Sequence, residues 1–153
     1  MKELETIRKV EIFQGLTDKD LATFVRRAKQ MEYKAEGIIV REKSPGGMMH
    51  VILEGSVEVR KKVGDTDEKP LAVLTEGQVF GEMSLFDGLP YSASIIAKEN
   101  TSTLTITRGD FLELAEKEPA LILKVTMNLV ATLSARLRKT NENLVTFALM
   151  RGA

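Results

Sequence analysis

The sequence predicts a mainly β fold with flanking helices. Residues 31–107 contain short apolar runs, rich in Val and Ile and broken at close intervals by Gly, Pro and Asp. Such runs are typical of short strands, and many of them at close spacing favour a barrel, a roll or a sandwich. Residues 1–30 and 108–149 instead carry helical patterns. We therefore expect one domain, 1–153, in three parts.

The N-terminal part, residues 1–30, is predicted to be helical. Thr17 is followed three residues later by Asp20, which resembles the capping box that begins a helix. Phe24 and Val25 then supply an apolar face. Residues 12–16 are expected to form a short turn that leads into this helix.

The central part contains six runs that read as strands. They are residues 38–40, 49–53, 57–59, 71–74, 94–97 and 103–107. Residues 44–47 and 64–70 are rich in turn-forming residues and separate neighbouring strands. The last run alternates strictly between Thr and an apolar residue, so we expect one of its faces to be buried.

The C-terminal part is predicted to form two helices. Thr107, with Asp110 three residues later, starts a short helix, and Pro119 marks the beginning of a long one that reaches about Leu149. A heptad-like pattern runs along it in two columns: Leu123, Val130, Leu137 and Leu144, and Thr126, Leu133, Thr140 and Phe147. The helix packs either wholly on its own domain or, in its second half, on a partner helix; we expect a homodimer.

Composition excludes several classes of protein. Lys and Arg together number 22, as do Asp and Glu, so the chain lacks the basic excess of a nucleic-acid binder. It has no Cys, which excludes disulfides and thiolate metal sites. No unbroken apolar run approaches the ~20 residues of a membrane span, and the N-terminus does not resemble a signal peptide. We expect a cytoplasmic protein without a membrane or nucleic-acid partner.

Catalytic groups are equally scarce. His50 is the only histidine and falls inside a predicted strand, so neither a metal site nor a Ser-His-Asp set is expected. A strand residue with a hydrogen-bonded ring is the simpler interpretation of His50. The sequence therefore predicts no enzyme, no metal and no cofactor.

The most informative stretch is residues 76–94. Gly81 permits a positive φ or a close backbone approach, and the residues after it can form one helical turn whose free amides bind an anion. Glu82 beside that turn can accept hydrogen bonds from a sugar hydroxyl, and Ser92 can donate to a phosphate oxygen. An ordinary strand–turn–strand with a surface glutamate is the alternative.

The run Phe-Gly-Glu-Met-Ser-Leu, residues 80–85, resembles the phosphate-binding cassette of cyclic-nucleotide-binding domains. The resemblance extends to residues 12–16, 36–46, 49–59 and 111–119, and so covers nearly the whole chain in order. It implies a double-stranded β-helix, or jelly-roll-like β-roll, with an N-terminal helix and a long C-terminal helix. It also implies a regulatory domain of signal transduction that binds a cyclic nucleotide, cAMP or cGMP.

The resemblance implies a ligand site residue by residue. From the cassette it includes Gly81 and Glu82 at the ribose end, Met83 and Ser84 in the turn, and Tyr91, Ser92 and Ala93 after it. From the long helix a roof is expected at Leu133, Arg136, Leu137 and Thr140. The family's transcription regulators carry a helix-turn-helix domain after this helix; here only Arg-Gly-Ala follows residue 150, and we expect no DNA-reading module.

The sequence departs from the family pattern at the position of the phosphate-binding arginine, which holds Tyr91. A buried anion without its charge partner costs about 3–5 kcal/mol, roughly 10²–10³-fold in affinity. Lys43 and His50 are smaller departures, at positions where the family has a turn glycine and an aromatic residue. Arg136 or Lys43 are candidates to replace the missing charge. The alternative function is a degenerate pocket in a dimerisation or protein-interaction module.

Overall fold

A computed structural model describes residues 2–65 and 67–152. The chain begins with helix α1 (Lys2–Arg8), a 3-10 turn (Glu11–Phe13) and helix α2 (Asp18–Arg27). The predicted capping box is confirmed: Thr17 Oγ1 accepts from the Asp20 N–H at 3.1 Å, and Asp20 Oδ2 accepts from the Thr17 N–H at 3.2 Å. The helical part ends earlier than predicted, because the first strand begins at Lys29.

Eight strands form two four-stranded sheets. In chain order they are β1 (Lys29–Tyr33), β2 (Ile38–Val40), β3 (Met48–Glu54), β4 (Ser56–Lys62), β5 (Glu68–Thr75), β6 (Val79–Phe80), β7 (Ser94–Ala97) and β8 (Thr101–Thr107). One sheet has the order β1-β8-β3-β6 and the other β2-β7-β4-β5, and each neighbouring pair is antiparallel. The predicted β-roll is confirmed.

Two of these strands were not predicted, β1 and β6. The β1 sequence Lys-Gln-Met-Glu-Tyr is mostly polar because it lies at a sheet edge, where it pairs with β8. The β6 strand has only two residues, too few for a periodic pattern, and pairs with β3, where Phe80 lies opposite His50. Pairing partners, rather than local sequence, define both strands.

The expectation that one face of β8 is buried understates the burial, because both faces are covered. Leu104 and Ile106 pack into the core cluster shared with the helices. Thr103 and Thr105 are also buried, and their hydroxyls hydrogen-bond to each other at 3.2 Å. Buried hydroxyls are tolerated when they are paired, which explains how a Thr-rich strand occupies the centre of the sheet.

A short helix, α3 (Glu82–Asp87), lies between β6 and β7. Two helices complete the chain, α4 (Arg108–Lys117) and α5 (Pro119–Gly152), as predicted. The first half of α5 packs on the domain through Leu121, Ile122, Val125 and Leu129, all within the core cluster. From residue 137 to the end of the described helix, the side chains are exposed. The prediction that the first half of α5 packs on its own domain is confirmed. The second half has no cover from that domain.

Helix α5 is also long and apolar enough to cross a membrane by length and composition alone. The sequence lacks an unbroken apolar run of that length, but one 18-residue window of α5 holds no more than two charged residues. The core helix of a soluble protein passes the same test, and Val125 and Leu129 of α5 do pack in the domain core.

Candidate functional site

The cassette begins with a sharp backbone turn at Gly81. Gly81 has φ +78° and caps helix α3 (Glu82–Asp87), which ends at Gly88 with φ +70°. A Cβ atom at Gly81 would clash with the Met48 carbonyl oxygen, so only glycine fits there without a shift. The predicted helical turn is confirmed. The N–H groups of its first turn have no partners inside the helix, as at any helix start.

A cavity of about 530 Å³ lies between the β-roll and α5. Its apolar wall comes from the strands: Val40, Val59, Leu74, Val79, Phe80 and Ile95. Its polar lining comes from two sides. The stretch 76–94 that contains the cassette contributes Gln78, Glu82, Tyr91 and Ser92, and α5 contributes Arg136, Lys139, Thr140 and Asn143. The four α5 residues follow the spacing i, i+3, i+4 and i+7, which places them on one helix face.

Seven of the eleven predicted site residues line this cavity: Glu82, Met83, Tyr91, Ser92, Ala93, Arg136 and Thr140. The other four do not. Gly81 shapes the turn through its backbone alone. The Ser84 hydroxyl is turned away, accepting from the Gly47 N–H and donating to the Leu89 carbonyl. Leu133 and Leu137, expected in the roof, are not among the residues that line this cavity, and Leu137 is 61% exposed.

Glu82 is buried at the start of α3 and reaches α5. Its Oε1 atom accepts a hydrogen bond from Arg136 Nη1 at 3.2 Å, which is also an ion pair. Burial raises the pKa of Glu82 above its ordinary value, and the Glu82 backbone N–H and the Arg136 charge partly oppose this rise. Arg136 Nη2 is buried and has no partner among the described residues. The carboxylate and the guanidinium thus join the cassette to the long helix.

Tyr91 occupies the arginine position with its hydroxyl already engaged. The hydroxyl donates to the Met48 carbonyl at 3.2 Å. The ring packs against the smaller core cluster, which consists of Val40, Ile52, Val57, Phe80 and Ile95. The backbone of Tyr91 is fixed by hydrogen bonds to Lys43 (2.8 Å) and Ser44 (3.1 Å). Burial raises the pKa of the Tyr91 phenol, which is therefore neutral at physiological pH. The cassette presents no cation at this point.

The two proposed replacement cations have different positions. Arg136 lines the cavity, but one of its nitrogens is bound to Glu82. Lys43 lies elsewhere, in a cavity that it lines with Lys62 and Glu68, so the structure does not support it as a replacement.

His50 is buried on β3 beneath the cassette. Its ring stacks on Phe80 with the centroids 4.7 Å apart, and Nδ1 lies 3.1 Å from Thr105 Oγ1. Burial lowers the pKa of His50 to about 4, so the ring is neutral at physiological pH. The expectation of a hydrogen-bonded ring holds for Nδ1 only, because Nε2 is buried without a partner among the described residues.

Two of the α5 residues that line the cavity, Lys139 and Asn143, were not predicted from the sequence. Their positions, three and seven residues after Arg136, put them on the same helix face. That spacing was the available signal. It was missed because the cavity face of α5 was expected to include the leucines of the heptad pattern.

Residues 30–118 match the model of the family described as the cyclic nucleotide-binding domain. The chain belongs to this family. This cyclic nucleotide-binding domain is similar to the cyclic AMP receptor protein of Thermus thermophilus, with 31% identity over 87% of this chain and 60% of the relative. It is also similar to a CRP-like cAMP-activated global transcriptional regulator of Mycobacterium tuberculosis, with 24% identity over 92% of this chain and 61% of the relative.

Among solved structures, a cyclic nucleotide-binding domain from Methylobacillus flagellatus matches with a TM-score of 0.83 and 26% identity, covering 94% of this chain and 81% of that one. The domain described here thus spans about three fifths of the length of the two curated regulators and most of the solved domain. The relatives are regulators and ligand-binding domains, in agreement with the family assignment.

Proposed function

We propose that this domain is a regulatory sensor of signal transduction that binds a cyclic nucleotide in the cavity between the β-roll and α5. In this proposal it acts in the cytoplasm and is not an enzyme. One observation carries the proposal: the cavity brings the cassette carboxylate, Glu82, together with a polar face of the long helix. The named activities of the Thermus and Mycobacterium relatives, which respond to cyclic AMP, support the same ligand class.

The dimensions and chemistry of the cavity suit a nucleotide. A volume of about 530 Å³ lies within the range of about 300–1,000 Å³ usual for small-molecule sites. The apolar strand wall suits a base, and the buried Glu82 carboxylate suits a ribose hydroxyl. Thr140 and Asn143, on α5, offer hydrogen bonds to the edge of the base.

Ligand binding would change the contact between the cassette and α5. Glu82 now accepts from Arg136, and a ribose hydroxyl in the cavity would compete for the same carboxylate. A ligand shifts a conformational equilibrium only through its differential contacts with the two states, and this exchange of partners is such a difference. The Glu82–Arg136 pair is therefore the proposed link between the ligand and the long helix.

Calorimetric titration with cAMP and with cGMP tests the proposal. We expect low-micromolar binding, and we expect Glu82→Ala to weaken it by about 10–150-fold, because a hydrogen bond to a charged group contributes about 1.5–3 kcal/mol. Glu116→Ala, at an exposed position on α4, is the matched control and should bind as the unchanged protein does. Absence of heat and of a thermal shift at millimolar nucleotide would refute the proposal.

We also propose that the domain forms a homodimer through α5. The alternative function, a dimerisation module whose pocket binds no cyclic nucleotide, would use the same dimer. Leu123, Val130, Leu137 and Leu144 recur every seven residues and are 50–62% exposed. This spacing gives a continuous apolar stripe of the kind that packs against a second helix. A second copy of the chain is the partner that this stripe fits.

Analytical ultracentrifugation tests the dimer. The unchanged domain should sediment as a dimer, and the double substitution Leu137→Asp with Leu144→Asp should give a folded monomer, since buried carboxylates disrupt an apolar seam. Asn141→Asp adds one negative charge at a position outside the stripe and should leave the dimer intact. A monomeric unchanged domain contradicts the idea directly.

A further inference from the structure

The cavity has an uneven distribution of positive charge. On the cassette side, the position that faces the turn at Gly81 holds Tyr91, a neutral side chain whose hydroxyl is bound to the Met48 carbonyl. Among the described residues that line the cavity, the cations are Arg136 and Lys139, and both lie on α5. Any anionic group that enters this cavity therefore finds its charge partners on the long helix.

The two cations are not equivalent. Arg136 is bound through Nη1 to the Glu82 carboxylate, so much of its charge is already neutralised. Lys139 lies three residues further along the same helix face and makes no ion pair with any described residue. Its flexible four-carbon stem allows the ammonium group to follow a ligand into the cavity. Lys139 is thus the cation available to a ligand.

Other cations near the cavity are engaged elsewhere or line other cavities. Lys61, on β4, donates to the carbonyl of the cavity residue Ser92 at 2.6 Å and pairs with Glu42 at 3.5 Å. Arg41 lies in the cavity on the other side of Tyr91, together with His50 and Met48. Lys43 lies in a third cavity, with Lys62. Tyr91 lines both the Arg41 cavity and the candidate site, whereas Arg41 does not line the candidate site.

We propose that Lys139 supplies the positive charge for the anionic group of the ligand, in place of the cassette cation that Tyr91 lacks. This inference rests on the proposed function, namely that the cavity binds a nucleotide. The phosphate of the ligand then lies between the start of α3 and the α5 face, and it bridges the two elements. Because the charge partner is on α5, each binding event pulls this helix toward the roll.

The test compares a charged and a neutral ligand. In calorimetric titrations with cAMP, Lys139→Gln should weaken binding by about tenfold or more, the size of one charge-assisted contact. Lys139→Arg should stay close to the unchanged protein. With adenosine, which has the sugar and base but no phosphate, Lys139→Gln should have no effect. Arg138 is the exposed neighbour of Lys139 on α5 and does not line the cavity. Arg138→Gln is therefore the matched control and should leave the binding of both ligands unchanged.

Two further measurements sharpen the result. The affinity for cAMP should fall with added salt in the unchanged protein and fall less in Lys139→Gln, because a partly exposed charge pair is screened. Adding Tyr91→Arg to Lys139→Gln should restore cAMP binding by returning a cation to the cassette.

The outcomes separate the two proposals. If cAMP binds but Lys139→Gln leaves its affinity unchanged, or weakens adenosine equally, the role of Lys139 is overturned and the sensor function stands. If Arg41→Gln rather than Lys139→Gln weakens cAMP, the charge partner is Arg41 and the inference is wrong. If neither cAMP nor adenosine binds the unchanged protein, the sensor function fails, and the inference fails with it.

Discussion

Tyr91→Arg should improve cyclic-nucleotide binding by returning a cation to the cassette. The backbone at residue 91 is held by two hydrogen bonds to the Lys43–Ser44 segment, so an arginine would start from the same place. Its stem would pass the Gly81 turn, since Tyr91 Cε1 is now 3.3 Å from the position that a Gly81 Cβ would occupy. From there the guanidinium fork can meet a phosphate bound at the first turn of α3.

The expected gain exceeds the expected cost. A charge-assisted hydrogen bond contributes about 1.5–3 kcal/mol, which is about 10–150-fold in affinity. The folded protein loses the Tyr91–Met48 hydrogen bond, about 0.5–1.5 kcal/mol, and part of the ring packing against the smaller core cluster. We therefore expect a domain that is less stable by about 1–3 kcal/mol and binds cAMP at least tenfold more tightly.

Calorimetric titration with cAMP and denaturant unfolding measure the two effects. Tyr91→Phe keeps the ring and removes the hydroxyl, so it should lower stability by about 1 kcal/mol and leave affinity unchanged. If Tyr91→Arg folds, with an unchanged dissociation constant or a weaker one, the phosphate does not reach residue 91. The cassette would then not be the phosphate site of this protein.

Three further predictions concern stability. Because burial lowers the pKa of His50 from 6.5 to about 4, the unfolded chain takes up a proton there before the folded chain does. The free energy of unfolding should therefore fall by up to about 3 kcal/mol as the pH drops through that interval. His50→Phe should flatten this pH dependence in urea titrations, and an unaltered slope contradicts the assignment. Thr17→Ala should cost about 1 kcal/mol by removing the α2 cap, and Thr17→Ser should recover most of it. Leu129→Ala should lower the free energy of unfolding by about 2–5 kcal/mol in chemical denaturation, because Leu129 is fully buried. The control Leu112→Ala, at a half-exposed position, should lower it by less than about 1 kcal/mol. Equal losses would contradict the packing of α5 on the domain.

Features that depend on neighbours along the chain were predictable from the sequence. The Thr17–Asp20 cap, the turn at Gly81 with the short helix after it, and the long helix from Pro119 all follow from residue types at fixed spacing. So does the family resemblance, which depends on motifs in a fixed order. These signals are local, and the structure contains them where they were predicted.

Features that depend on how elements meet were decided by the tertiary structure alone. The β1 and β6 strands exist because β8 and β3 pair with them. The Tyr91 hydroxyl is engaged because the Met48 carbonyl comes within reach across the fold.

The composition of the cavity has the same origin. Burial of Leu121, Val125 and Leu129 in the core fixes the rotation of α5 about its axis. That rotation turns Arg136, Lys139 and Thr140 toward the roll and leaves Leu137 exposed. A heptad pattern describes one helix, whereas the face that lines a cavity is set by the packing of that helix against another element.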